Sequence, residues 1–378
     1  MESPFQYGTI AQDENFIDRV EERALLKQLL SSGINVMLIS PRRWGKSSLV
    51  KKAMEELTNK QKNIKVCYID AFSINSEAEF YRTFASQVMS CAYNRLDKGL
   101  EGAKKLLSGI VPQLVFKDTL NEFLTIDVRF KPQEKDKIEI LQLPEKIAKQ
   151  RGIRIIVCID EFQRFASFPE YGDMEGKMRS VWQQQQLTSY CLYGSKRHMM
   201  NDIFNDSSKP FYRFGQVLYL NKIAKNDWMN FIRRGFEKTN KHISDEWASQ
   251  VCDITKCHSW YLQQFCFFLW NNTTKDVDEA IFNRSLCHLI DTNMPMFMSD
   301  LEQLSASQIE MLRAIRAGET QLSGQRAREL YGLGNPNTIT KNKKALITRD
   351  IIENENGKLS FVDPIFELWF ARDYCNNF

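Results

Sequence analysis

Five short apolar runs rich in β-branched residues punctuate the first part of the chain, with helically spaced stretches between them. They are residues 34–39 (Ile-Asn-Val-Met-Leu-Ile), Ile64 to Ile69 ending at Asp70, Ile153 to Ile159 ending at Asp160-Glu161, Leu187 to Tyr193 ending at Gly194-Ser195, and Gln216 to Leu220. Runs that are continuously apolar, rather than alternating, predict parallel strands buried on both faces. Polar residues gather at their C-terminal ends, where open α/β sheets receive ligands. A helix is predicted from Lys46 to Leu57. Between Asp70 and Ile153 lies a long insertion. It holds predicted helices from Glu77 to Leu96 and Leu141 to Gln150, a strand pair of Gln113 to Phe116 with Phe123 to Phe130, and a charged, solvated loop from Lys131 to Lys137.

After Leu220 the pattern turns purely helical: Asp227 to Lys238, Asp245 to Ile254, Trp260 to Asn271 and Asp278 to Ile290. Thr292 to Asp300, with Pro295 and three methionines, reads as a connector. The last part gives helices from Gln308 to Ala317, Gly324 to Tyr331 and Thr338 to Thr348. A hairpin of Asp350 to Ile352 against Leu359 to Val362 follows, turning at Asn356-Gly357. Three helices followed by a two-stranded wing is the winged-helix order. The expected architecture is therefore α/β: a three-layer core with a parallel sheet over residues 1–222, an all-α lid over 223–300, and a winged-helix domain over 301–378.

The 378 residues are enough for two or three domains, and 43% hydrophobic with 26% charged residues is the make-up of a folded chain. Lys and Arg number 51 against 47 Asp and Glu, and an excess of four charges implies no global attraction to nucleic acid or membrane. No apolar run approaches a membrane span, and Met1-Glu2-Ser3-Pro4 does not begin a signal peptide. Nine scattered cysteines without a CxxC pair read as reduced thiols in a cytoplasmic protein. Four histidines are too few for a His-rich metal site.

Chemistry concentrates at the strand ends. Ser40-Pro41-Arg42-Arg43-Trp44-Gly45-Lys46-Ser47 follows the first strand and opens a helix, in the form GxxxxGK[ST] with Ser40 in place of the first glycine. Gly45 lets backbone amides wrap a phosphate, Lys46 brings a point charge to the β- and γ-phosphates, and the Ser47 hydroxyl ligates magnesium. Arg42, Arg43, Trp44 and Ser48 fill out the nucleotide cradle. The plain alternative is a basic turn capped by Ser47, but a strand before and a helix after favour the phosphate loop. Asp160 would hold magnesium through water, and Glu161 would polarise an attacking water. Ser195 fits either a sensor of the γ-phosphate or a helix N-cap. Arg213 fits either a phosphate contact, in its own or a neighbouring subunit, or a surface ion pair.

Asn15-Phe16-Ile17-Asp18-Arg19, Pro41 to Ser48, Ile159-Asp160-Glu161-Phe162-Gln163, Tyr193-Gly194-Ser195 and Tyr212-Arg213 resemble the archaeal-type ATPase family. That family comprises P-loop NTPases of the AAA+ and STAND region of the superfamily. The resemblance extends to the terminal segment Asp363 to Trp369. It implies ATP and Mg2+ as cofactors, with adenine bordered by Phe16 and Ile17. Where the family's lid helix starts Gly-His-Pro-Tyr, this chain has Cys257-His258-Ser259-Trp260, which leaves His258 to meet the nucleotide, to cap or to pack.

On the helix before the wing, Asn337, Lys341 and Lys344 share one face with Thr338 beside them, a set suited to DNA phosphates and base edges. Asp350, Glu353 and Glu355 offset that charge, so packing on a protein surface is the competing use. Three functions follow: an ATP-hydrolysing switch with a protein client, a DNA-engaged ATPase of the loader or mobile-element accessory kind, or a nucleotide-holding scaffold without turnover. An oligomer is compatible with each.

Overall fold

The computed structural model describes residues 2–9, 17, 19–93, 116–117, 125–126, 133–355 and 357–375. They fall into two compact units, residues 19–221 and residues 1–18 with 222–378.

In the first unit, α1 (Val20–Ser31) precedes β1 (Val36–Ile39), and α2 (Lys46–Lys60) leads to β2 (Ile64–Asp70) and α3 (Glu77–Ala92). The two-residue strands β3 (Phe116–Lys117) and β4 (Thr125–Ile126) pair antiparallel. Then come α4 (Glu134–Arg151), β5 (Arg154–Asp160), α5 (Tyr171–Trp182), β6 (Thr188–Gly194), α6 (Arg197–Phe204) and β7 (Gln216–Tyr219). The five long strands form one parallel sheet in the order β2-β5-β6-β1-β7.

The continuous apolar runs earn their central places: all seven residues of β6 are buried, as are Ile155 to Ile159 of β5. Helices cover the sheet, with Trp182 of α5 stacked on Tyr190 of β6 at 4.1 Å between ring centroids. The register brings the functional ends level. Asp70 pairs with Asp160, and Ile39 lies opposite Gly194 on one side and Tyr219 on the other.

Two expectations need correction. Residues 134–137, read as loop, are the first turn of α4. Gln133 and Asp136 form a reciprocal capping box there, and Lys137 pairs with Glu77 at 2.9 Å and Glu134 at 2.8 Å. Residues 292–300, read as a connector, lie inside the 24-residue α10 (Glu279–Glu302), with Pro295 in the helix interior. Most of the expected strand pair, like residues 94–96 of the expected helix, lies outside the described residues.

The second unit holds α7 (Lys225–Glu237), α8 (Asp245–Ile254), α9 (Ser259–Asn272) and α10. After them come α11 (Ala306–Arg316), α12 (Gln325–Tyr331), α13 (Pro336–Thr348), the hairpin β8 (Ile352–Glu355) with β9 (Lys358–Phe361), and α14 (Pro364–Tyr374). Helices α11 to α13 with the hairpin make the winged helix. The N-terminal residues belong to this unit too. Phe5, 1% exposed, packs on Phe231 and Phe236 of α7 at 5.8 and 5.4 Å. Burying one such ring stabilises by roughly 1.5–3 kcal/mol. A Cβ on Gly235 would lie 2.6 Å from the Phe5 ring, so glycine makes room for it.

Candidate active site

The phosphate loop forms where β1 stops. Ser40, fully buried, donates its hydroxyl to the Pro41 carbonyl at 3.1 Å. The backbone is then left-handed at Arg43 (φ 64) and at Gly45 (φ 85). Left-handed residues close together swing amide N–H groups to one side and make an anion concavity. A Cβ added at Gly45 would meet nothing within 4 Å, so the dihedral, not crowding, is why glycine suits the position. Helix α2 begins at Lys46, with Leu49 N donating to Gly45 O at 2.9 Å. The loop and the positive end of α2 therefore coincide.

Strand β5 delivers the acids. The Ser47 hydroxyl donates to Asp160 Oδ2 at 2.6 Å. Lys46, 7% exposed, sets Nζ 3.5 Å from Asp160 Oδ1 and 3.4 Å from Glu161 Oε1. The Ser195 hydroxyl donates to Glu161 Oε2 at 2.8 Å, and the Gln163 side-chain amide donates to the same oxygen. Burial pushes the Glu161 carboxyl up, but the Lys46 charge and the hydrogen bonds from Gln163, Ser195 and Lys46 outweigh it. The net result lies below the usual carboxylate range. Glu161 itself is left-handed (φ 52).

These residues fit a nucleoside triphosphate with magnesium. A concavity of backbone lies beside a buried ammonium whose described ion pairs are with Asp160 and Glu161. A hydroxyl–carboxylate oxygen pair is the donor set of a hard cation that keeps most of its own waters. Among the described residues, no group of three or more His, Cys, Asp or Glu side chains could hold a metal by itself.

The structure thus brings Lys46, Ser47, Asp160, Glu161 and Ser195 together. Ser195 does not cap a helix, because the residue before α6 is Lys196 and the serine hydroxyl goes to Glu161. Ser48 is buried in the first turn of α2, and Arg42 and Arg43 are exposed. The Arg197 guanidinium lies over the Trp44 ring at 5.8 Å. Arg213 is exposed and left-handed (φ 54), with its guanidinium 5.2 Å from the Tyr212 ring centre and in none of the described ion pairs.

The remaining candidates belong to the other unit. Phe16 lies outside the described residues, and Ile17 is buried in that unit's apolar core. His258 precedes α9 and packs its ring against Tyr261 at 4.9 Å. On α13, Asn337, Lys341 and Lys344 are exposed, while the Thr338 hydroxyl donates to the N-cap Asn335 at 3.2 Å.

Two further residues belong to the site. Gln163 holds Glu161 and packs so tightly that a Cβ on Gly194 would fall 1.9 Å from its side-chain oxygen. Its one signal was a polar residue two places after the acids, in an otherwise aromatic turn. Arg19, 5% exposed, donates from Nη2 to Trp44 O at 3.1 Å and to Asn221 O at 3.0 Å, and pairs with Glu22 at 3.1 Å. A contact across 202 positions leaves no mark in local spacing.

Known proteins share the fold. Residues 16–265 match a family described as an ATPase domain predominantly from Archaea, and residues 295–372 match a probable winged helix domain. No curated protein matches. Among solved structures, a Walker-type ATPase of Pyrococcus abyssi superposes with a TM-score of 0.69 at 17% identity, over 97% of this chain and 99% of that one. The Aeropyrum pernix ORC2 protein, in ADPNP–ADP complexes, gives 0.60 at 14% identity over 96% and 94%. The Aeropyrum pernix ORC1 protein, in complex with DNA, gives 0.52 at 11% identity over 99% and 98%. Identities this low speak for the fold alone. With two-thirds of its length matched by the first of those families, the chain belongs to the ATPase domains found predominantly in Archaea.

Proposed function

We propose that the chain is a magnesium-dependent ATPase that hydrolyses ATP and works as a nucleotide-driven switch. The observation that carries this reading is Glu161, a carboxylate held by Lys46, Ser195 and Gln163 beside the Ser47–Asp160 pair. When bound, ATP would supply a phosphoanhydride whose crowded negative charges favour its cleavage, and magnesium would supply neutralising positive charge. The phosphate-loop amides and Lys46 hold and orient the anion, while Arg42, Arg43, Trp44 and Ser48 line its approach. Ser47 and Asp160 offer the cation an oxygen each. Glu161 accepts a proton from water, and Ser195 with Gln163 keeps its carboxylate aimed. Within the α/β unit, Arg213 is the group for sensing the nucleotide's phosphates. The working division is a core over residues 19–221, with a lid over 223–300 and a winged helix over 301–378 in the unit that also takes residues 1–18.

A second reading makes it a DNA-engaged ATPase. It is favoured by the exposed face of α13, where Lys341 and Lys344 enter none of the described ion pairs, and by the DNA complex of the ORC1 neighbour.

Phosphate release by the purified chain, with and without Mg2+ and duplex DNA, tests both. We expect magnesium-dependent turnover that Lys46→Ala abolishes through lost ATP affinity, in a variant that stays folded because the side chain faces the site and not the core. Unchanged ATP binding in folded Lys46→Ala would remove the phosphate-loop assignment. An inert wild type would leave a nucleotide-holding scaffold. Stimulation by DNA that disappears in Lys341→Glu/Lys344→Glu would select the second reading.

A further inference from the structure

The end of α8 brings two thiols together. Lys256 N donates to Asp253 O at 3.1 Å and Cys257 N donates to Cys252 O at 2.9 Å. This crossed pair of bonds is a Schellman turn, which sets the third residue from the helix end beside the second residue past its cap. That contact is ordinarily between apolar side chains. Here its two members are Cys252 and Cys257. The turn is also costly: Lys256 (φ 47) and Cys257 (φ 54) are both left-handed without being glycine, at roughly 1–2 kcal/mol each.

The two sulfurs differ in environment. Cys252 is 1% exposed, in the apolar core of its unit, whereas Cys257 is half-buried and open to a small reagent. Cys257 Sγ lies 3.8 Å from the Cys252 carbonyl oxygen. The hydrogen bond from Cys252 to Cys257, helped by the charges of Lys222 and Lys225, brings Cys257 down to about 7 against burial and the charge of Asp253. The same shared bond, and then burial, push Cys252 up. Lys225 is itself paired with Asp253 at 2.6 Å, so the thiol faces a mixed but net positive surround.

We propose that Cys252 and Cys257 form a reversible thiol–disulfide pair that oxidises under hydrogen peroxide and locks the turn between α8 and α9. The Cys257 thiolate attacks one peroxide oxygen, the O–O bond breaks, and the departing hydroxide takes up a proton to leave as water. The Cys252 sulfur then attacks the sulfenic sulfur and gives up its proton, and the S–O bond breaks to release a second water. Two thiols lose two electrons and two protons, and one peroxide becomes two waters. A dithiol reductant reverses the bond.

The same conditions pass over a second facing pair. Cys158 and Cys191 face each other in register on β5 and β6, but both are fully buried, and burial holds the Cys158 thiol well above its ordinary value. Cys287 is exposed and has no such partner in the fold's turn, which makes it the internal comparison.

The test treats the full chain with graded peroxide, blocks free thiols, and maps tryptic peptides without reductant. Cleavage after Lys256 separates the two cysteines, so peptides 242–256 and 257–275 remain joined only through a disulfide. We expect the joined species, lighter by two hydrogens and split by dithiothreitol. It should persist in Cys266→Ala and vanish in Cys257→Ser. In Cys252→Ala, Cys257 should stop at the sulfenic acid and be captured by a 1,3-dione reagent. Without peroxide, Cys257 should alkylate at neutral pH roughly tenfold faster than Cys287. Oxidation of Cys287 with no joined peptide, or a link that survives Cys257→Ser, would overturn the proposal. So would a Cys257 that alkylates no faster than Cys287.

Discussion

Outside glycine, the described left-handed residues of the α/β unit are Arg19, Arg43, Glu161 and Arg213. Each costs of order 1 kcal/mol or more in backbone strain, and strain of this kind collects where a side chain must be aimed. Glu161 shows what the aim achieves: with Asp160, it supplies the counter-charge for Lys46. An incoming triphosphate therefore competes with the chain's own acids for that ammonium. Glu161→Gln should bind ATP several-fold more tightly, while turnover falls roughly 10²–10⁴-fold for lack of a proton acceptor. Equilibrium titration beside a phosphate-release assay checks both, and weaker binding would deny the competition. In the wild type the Glu161 carboxyl lies below the usual range, so it stays ionised until pH drops through that lowered value. Its acid limb in kcat/KM, which reports the free enzyme, should accordingly lie below the ordinary carboxylate range. The four groups Lys46, Ser47, Asp160 and Glu161 were legible because a phosphate loop and an acid-tipped strand have fixed spacings. Gln163 and Arg19 were not, because their partners are set by the folded sheet.

At the scale of elements, the strands were the most legible part. Buried parallel strands carry no alternation and end abruptly in polar residues, and that signature survives without any tertiary information. Helix α10 was the least legible. Pro295 removes a backbone donor and crowds the preceding turn, a penalty of about 3 kcal/mol in a helix interior, and the local sequence reads as a break. What overrides it is burial: Phe297 is 1% exposed and packs on Phe366 and Trp369 of α14 at 5.5 and 5.7 Å. If packing rather than propensity holds this stretch helical, Phe297→Ala should destabilise its unit by roughly 3–5 kcal/mol. Limited proteolysis should then find new cuts within residues 292–300. A variant cut no faster than wild type there would mean that the helix stands without its aromatic anchor. The start of α4 was missed for the opposite reason, since a charged first turn whose lysine finds Glu77 looks like solvated loop until the pairing is seen.

For the whole molecule, the order of α/β sheet, helical stretch and winged helix could be read along the chain, but the return of the first residues to the C-terminal unit could not. Phe5 finds α7 more than two hundred positions away, and nothing in its neighbourhood announces that. That return makes the backbone cross between the units twice, once between residues 18 and 19 and once between 221 and 222. Arg19 stands at the first seam, and its Nη2 grips the Asn221 carbonyl at the second while also gripping the Trp44 carbonyl in the phosphate loop. Lysine keeps the charge but lacks the planar fork that serves both carbonyls from Nη2 and Glu22 from Nη1. In Arg19→Lys, hydrogen exchange around residue 221 should lose its response to ATP, even where the nucleotide still saturates the loop. An unchanged ATP response there would dissolve the link. One guanidinium nitrogen thus ties the first and last residues of the α/β unit and its phosphate loop to a single point.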